Sequence, residues 1–367
     1  MKISLSIRMA AIAAGFLWIT GCQPAAEKKT VSEPVASAVW TATQANEWYD
    51  KLPWIVGANF IPSTAINQLE MWQKESFDTA TIARELGWAS GIGFNTMRVY
   101  LHSLAWIQDK EGFKNRVGKY LDIADAKGIK TIFVLFDDCW NKVPKTGTQP
   151  APKPGIHNSG WVQDPGDPYS KDTTIYPELE AYVKDVVGHF GKDRRILLWD
   201  VYNEPGNSGK LESSLPLLVN VFKWARAAKP EQPLSAGLWA WDFEKLNQVQ
   251  IENSDVITYH DYEDAPWHQR VIDMLKTHGK PLICTEYMAR TRNSHFSNIL
   301  PMLKEKKVGA INWGLVAGKS NTIYAWDTPM ENGAEPKLWF HDVFRKDGTP
   351  YKKEETELIR TLTATGK

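Results

Sequence analysis

Two glutamates stand where they could act on one bond. One lies in Trp199-Asp200-Val201-Tyr202-Asn203-Glu204-Pro205, the other in Leu282-Ile283-Cys284-Thr285-Glu286-Tyr287. Each follows an apolar run that reads as a buried strand, so each carboxylate is expected at a strand end. Carboxylates on facing walls can flank a glycosidic bond. At ~5–5.5 Å one serves as nucleophile and the other as general acid and base, which gives a double displacement. A single glutamate at the start of a loop is usually just a solvated side chain, so the pair carries the argument.

The positioning elements follow from apolar periodicity. Apolar, β-branched runs fall at 54–60, 95–101, 129–136, 196–202, 234–239, 256–259, 281–285 and 308–314, with helix-period stretches at 77–91, 115–127, 177–190, 215–228, 243–253, 266–278 and 294–306 and a closing one at 353–362. Gly128, Gly191 and Gly279 follow or end helical stretches, as helix C-termini favour. Apolar strands alternating with helices imply a parallel sheet buried on both faces, and eight such units predict a single-domain α/β fold, a (β/α)₈ TIM barrel, over residues 46–367. A doubly wound sheet would call for a glycine-rich first turn, but the chain there reads Ile61-Pro62-Ser63-Thr64. No second domain or internal repeat is visible. The segments expected after strands are long (61–76, 137–176, 315–350), whereas those after helices are short. In a barrel the long loops build the site at the C-terminal ends of the strands, and the strands carrying Glu204 and Glu286, the fourth and seventh, face each other across that mouth.

Trp199-Asp200-Val201-Tyr202-Asn203-Glu204-Pro205 resembles the fourth-strand signature of clan A glycoside hydrolases, particularly the cellulase and mannanase family 5. The resemblance implies a barrel in which Glu204 is the acid/base and Glu286 the nucleophile. It further implies that Arg98, in Thr96-Met97-Arg98-Val99-Tyr100, holds the nucleophile carboxylate, and that Asn203 binds the sugar 2-hydroxyl. His260-Asp261-Tyr262 matches a family His-x-Tyr: the tyrosine steadies the nucleophile and the histidine bonds the acid/base or a sugar hydroxyl. Trp313, in Ala310-Ile311-Asn312-Trp313-Gly314, matches the tryptophan beneath the reacting sugar. The third strand departs from the pattern: it ends Phe136-Asp137-Asp138-Cys139-Trp140 where many members carry a histidine. Asp137 or Asp138 either contacts a different hydroxyl or caps the loop. Trp140 and Trp239 complete the expected substrate contacts. They are two of 17 tryptophans, a number that fits flat, weakly charged ligands such as sugars.

Other chemistries lack their residues. Gly314 to Ser320 has one residue too few for a P-loop; no G-x-S-x-G, H-E-x-x-H or paired C-x-x-C occurs, so no cofactor or metal is expected. Lys+Arg and Asp+Glu both number 43, without the basic excess a phosphate-reading nucleic-acid binder needs. Three cysteines make no disulfide framework. Residues 1–21 read as a signal peptide with Lys2 and Arg8 before an apolar stretch. Ile19-Thr20-Gly21-Cys22 resembles a bacterial lipobox, which makes Cys22 the lipidation site, 22–45 a tether, and the outer membrane the expected location, with the facing side open. The expected protein is a monomeric retaining hydrolase of β-mannan, β-glucan or a related polysaccharide or oligosaccharide. The alternatives are a transglycosylase on the same substrates and a carbohydrate-binding lipoprotein without catalysis.

Overall fold

The computed structural model describes residues 38–167, 172–330 and 332–364. The expected signal peptide, Cys22 and most of the tether lie outside them. The end of that tether is corrected: Ala42–Tyr49 forms helix α1, so the folded domain begins before residue 46. Thr41 caps it, accepting from the Gln44 amide at 3.2 Å while the Gln44 side chain accepts from the Thr41 amide at 3.0 Å. This reciprocal pair satisfies amides that have no partner within the helix. Trp48, Tyr49 and Leu52 then pack on Ile55, Ile132, Leu197, Leu198, Val256, Ile283 and Ile311, closing the N-terminal end of the barrel.

Among the described residues, eight parallel strands form one sheet: β1 (Val56–Asn59), β2 (Thr96–Tyr100), β3 (Lys130–Val134), β4 (Ile196–Asp200), β5 (Leu234–Ser235), β6 (Ile257–His260), β7 (Leu282–Glu286) and β8 (Gly309–Asn312). Each pairs with its successor except β5, and β1 pairs with β8 through Ala58 and Asn312. The gap between β5 and β6 is spanned by a parallel bridge, with Leu238 N donating to Thr258 O at 3.0 Å and His260 N to Leu238 O at 2.8 Å. The barrel is thus nearly closed. Only two residues of the strand expected at 234–239 join the ladder, because hydroxyls take over the seam: Thr258 N donates to the Ser235 hydroxyl and Ala236 N to the Ser254 hydroxyl.

The expected helices are present, joined by two short ones after the first two strands. In chain order they are α2 (Gln68–Trp72), α3 (Thr79–Gly91), α4 (Ser103–Gln108), α5 (Lys110–Asp125), α6 (Tyr176–Phe190), α7 (Leu215–Ala227), α8 (Glu244–Asn253), α9 (Ala265–Lys276), α10 (Phe296–Glu305) and α11 (Lys353–Thr363). Each long helix lays an apolar stripe on the sheet, as α10 does with Phe296, Ile299, Leu300 and Leu303, all fully buried. The longest connections follow β3 (135–175) and β8 (313–352), and both lie at the C-terminal mouth.

Candidate active site

Arg98 on β2 organises the floor of the mouth. It is fully buried, and its Nε and Nη2 donate to Asp200 Oδ2 at the end of β4, at 2.9 and 2.7 Å. Nη2 also donates to Asn203 Oδ1 at 2.6 Å, and Nη1 to Glu286 Oε1 at 2.8 Å. A buried guanidinium needs this many acceptors, because unpaired charge in an apolar interior is costly. Tyr100, two residues along the same strand and therefore on the same face, accepts from Arg98 Nη1 at 2.6 Å and donates to Glu286 Oε1 at 2.9 Å. Tyr262 donates to the other oxygen, Oε2, at 2.6 Å. Glu286 is thereby presented as an acceptor with both oxygens fixed.

Glu204 sits differently. Its backbone has φ 45°, the left-handed region that side-chain-bearing residues seldom adopt, which turns the carboxyl into the mouth. Oε1 lies 2.7 Å from His260 Nδ1; Oε2 accepts from Asn207 Nδ2 at 2.5 Å and from the Cys139 thiol at 3.1 Å. Burial pushes the Glu204 carboxyl above its ordinary range, and the Cys139 and Asn207 bonds oppose that shift. Burial also lowers His260 to about 4, so its imidazole is neutral through the middle pH range. Its Nε2 is buried with no hydrogen-bond partner, so Nδ1 is where a proton finds an acceptor, in Glu204. Glu204 and Glu286 bring carboxylate oxygens within 4.8 Å of each other, with His260 Nδ1 in the same cluster. These three residues could face a cation, but it would compete with Arg98, Tyr100 and Tyr262 for the Glu286 oxygens.

Of the expected site residues, Glu204, Glu286, Asn203, His260, Tyr262, Trp140, Trp239 and Trp313 line one cleft of about 1180 Å³. That exceeds the ~300–1,000 Å³ common for small-ligand pockets and suits an oligosaccharide. Arg98, expected to hold the Glu286 carboxylate, stands behind the wall and donates to it, and Asp137 and Asp138, expected to contact a hydroxyl or cap the loop, stand behind the wall as well. Asp137 accepts from Trp161 Nε1 (2.7 Å), Asn203 Nδ2 (2.9 Å) and the Cys139 amide (2.9 Å), and burial raises it to about 7. Asp138 accepts from Lys210 Nζ (2.6 Å), Tyr202 (2.8 Å), Ser214 (2.5 Å) and the Gly206 amide (2.8 Å). Of the two readings for this pair, the loop-fixing one fits both: Asp137 holds Asn203, and Asp138 holds the turn after Glu204. Tyr100, Cys139 and Asn207 were not among the expected residues; for Tyr100 the two-residue spacing from Arg98 was the available signal. His157, Trp161, Trp241 and Trp326 also line the cleft from irregular segments that carry no such periodicity, and Trp267 does so from the first turn of α9.

The sequence model described as Cellulase (glycosyl hydrolase family 5) matches residues 57–319. The chain belongs to glycoside hydrolase family 5. Membership makes it an O-glycosyl hydrolase by family, with a polysaccharide or oligosaccharide as substrate. No curated protein matches it. Solved glycoside hydrolase structures share the fold at low identity. An endo-β-1,4-mannanase from Thermotoga petrophila is 16% identical, with TM-score 0.57, over 86% of this chain and 77% of its own. A GH5_18 protein from Streptomyces cattleya, solved with Manβ1-4GlcNAc, is 11% identical, with TM-score 0.60, over 85% and 80%. A family 5 mannosidase from Rhizomucor miehei is 15% identical, with TM-score 0.55, over 85% and 92%.

Proposed function

We propose that this family 5 protein is a retaining β-glycoside hydrolase with Glu286 as nucleophile and Glu204 as acid/base. The observation that carries the reading is the close approach of two carboxylates in unlike environments: oxygens within 4.8 Å, one side chain fixed by Arg98, Tyr100 and Tyr262, the other half-buried beside a neutral histidine. An inverting site needs ~6.5–9.5 Å to admit a water between carboxylate and sugar; a retaining one needs only ~5–5.5 Å. Glu204, with its proton favoured by burial, protonates the leaving oxygen as Glu286 attacks the anomeric carbon. The ester then removes the negative charge from Glu286, and Glu204, now ionised, takes a proton from the incoming water. Asn203, held by Arg98 and Asp137, is set to meet the 2-hydroxyl, and Trp313 to lie against the sugar ring.

β-Mannosides are the first substrates to test, since the similar structures bear mannanase and mannosidase names; β-glucosides follow. Proton NMR during hydrolysis of an aryl β-glycoside should show the β-anomer of the free sugar first, with the α-anomer arising later by mutarotation. Initial release of the α-anomer contradicts the reading. We further propose that Cys22 carries a lipid that places the catalytic domain at the outer membrane.

A further inference from the structure

The cleft has a blind side. A line from Glu204, beyond β4, to Glu286, at the end of β7, divides the mouth: β5 and β6 lie on one side, and β8, β1, β2 and β3 on the other. Among the described residues, none from the segments after β1 and β2 lines the cleft, because the segments after β3 and β8 meet above those strands. Asn158 N donates to Ser320 O at 2.8 Å and Met330 N to Gly155 O at 3.0 Å. Asn321 Nδ2 donates to Lys153 O at 2.8 Å, and His157 Nδ1, on a ring kept neutral by burial, lies 2.7 Å from Tyr324 O. Gly155 permits the junction: its φ is +67°, and a Cβ there would stand 1.6 Å from the Met330 carbonyl oxygen. Beneath it Trp161 packs on Tyr100 and Trp313 with ring centroids 5.0 and 5.5 Å away. The cavity left over β1 and β2 is about 20 Å³, room for a water and not for a sugar ring.

On the cleft face of this junction the rings are continuous. Trp140 to His157 is 5.3 Å, His157 to Trp326 is 6.0 Å, and Trp326 to Tyr262 is 5.0 Å between centroids. The belt starts beside Cys139, which touches Glu204, and ends at Tyr262, which touches Glu286. It thus encloses the blind side from one carboxylate to the other. The opposite side is lined by Trp239, Trp241 and Trp267, the last on the first turn of α9. With Trp313 on the enclosed side and Tyr262 at its boundary, the sugar that reacts takes the blind end and the leaving part of the chain runs out past Trp239.

Resting on the retaining-hydrolase reading, we propose that the protein is exo-acting: it admits one non-reducing terminal sugar to the enclosed pocket, and His157 and Trp326 set that limit by occupying the place of a second. The test uses the full chain on β-1,4-linked manno-, gluco- and xylo-hexasaccharides labelled at the reducing end, with aryl monoglycosides of the same sugars alongside. The expected first products are the free monosaccharide and the labelled pentasaccharide alone. Cleavage of an aryl monoglycoside with the hexasaccharides untouched also supports the one-sugar pocket, since a site that needs a second glycone sugar leaves it intact. Labelled products of several lengths at the earliest times overturn exo action and leave the hydrolase reading standing. No cleavage of any of these compounds overturns the hydrolase reading and this inference with it. Trp326→Ala should add the labelled tetrasaccharide to the first products; an unchanged pattern removes Trp326 from the limit.

Discussion

Burial favours the proton on Glu204 while the Cys139 and Asn207 bonds favour its release, and this balance fixes what single substitutions should do. Its raised carboxyl is protonated below its pKa and loses that proton as pH rises, so it sets the alkaline limb of the kcat/KM profile. Glu204→Gln should abolish that limb on an aryl glycoside whose leaving group needs no proton. On unactivated substrates the loss should be ~10²–10⁴-fold, the usual worth of a general acid. His260, lowered to about 4, is neutral there and does not replace it, so a persisting alkaline limb would contradict the assignment. The Cys139 thiol stabilises the ionised carboxylate, so Cys139→Ala should move the alkaline limb to higher pH and Cys139→Ser should restore it. An unmoved limb in the alanine variant would show that the 3.1 Å contact is without consequence. At this scale the residue types with strand-end positions were legible, and Glu204 and Glu286 do meet. The roles of Asp137 and Asp138 were not, because whether an acid beyond a strand faces the cleft or the loop behind it depends on donors such as Trp161 and Lys210, far away in sequence.

Apart from β5, where two of six expected residues join the ladder, the strands and long helices were legible because each carries a run or stripe long enough to show its period. Helices α2 and α4 are five and six residues long, under two turns, and leave no period to read. The start of α1 was legible in principle: Thr41 followed three residues later by Gln44 is a capping signature. Alanine-rich flanking sequence made it look like tether. Helix α1 seals the end of the barrel opposite the site, so its stability and the chemistry are separable. Thr41→Ala should lower stability by ~1 kcal/mol, read as a lower denaturation midpoint, with kcat/KM unchanged. A loss of activity without a loss of stability would mean that α1 couples to the mouth in a way its packing does not account for.

For the whole molecule, barrel closure brings residues from β2, β4, β6 and β7 to one point; strand order implied the encounter, but not its distances. Arg98 reaches Asp200 and Glu286 across the barrel, so the fold and the site share one buried charge network. Among the described residues no helix is long and apolar enough to cross a membrane, and the proposed membrane attachment rests on Cys22 alone. Cys22→Ser should move the protein from the membrane fraction to the soluble one while the barrel keeps its activity. On this proposal the whole anchor rests on this one residue, which lies outside the folded barrel's described residues. Retention in the membrane fraction would rule out the lipid as the anchor.

The claim that Glu286 attacks carbon while Glu204 moves the proton is tested most directly by azide rescue of the two alanine variants on an activated aryl β-glycoside. Glu286→Ala removes the nucleophile, so azide should enter from the vacated face and give the α-glycosyl azide. Glu204→Ala keeps the glycosyl-enzyme, so azide should take the place of water and give the β-glycosyl azide. Products of the same anomeric configuration from both variants would contradict the account.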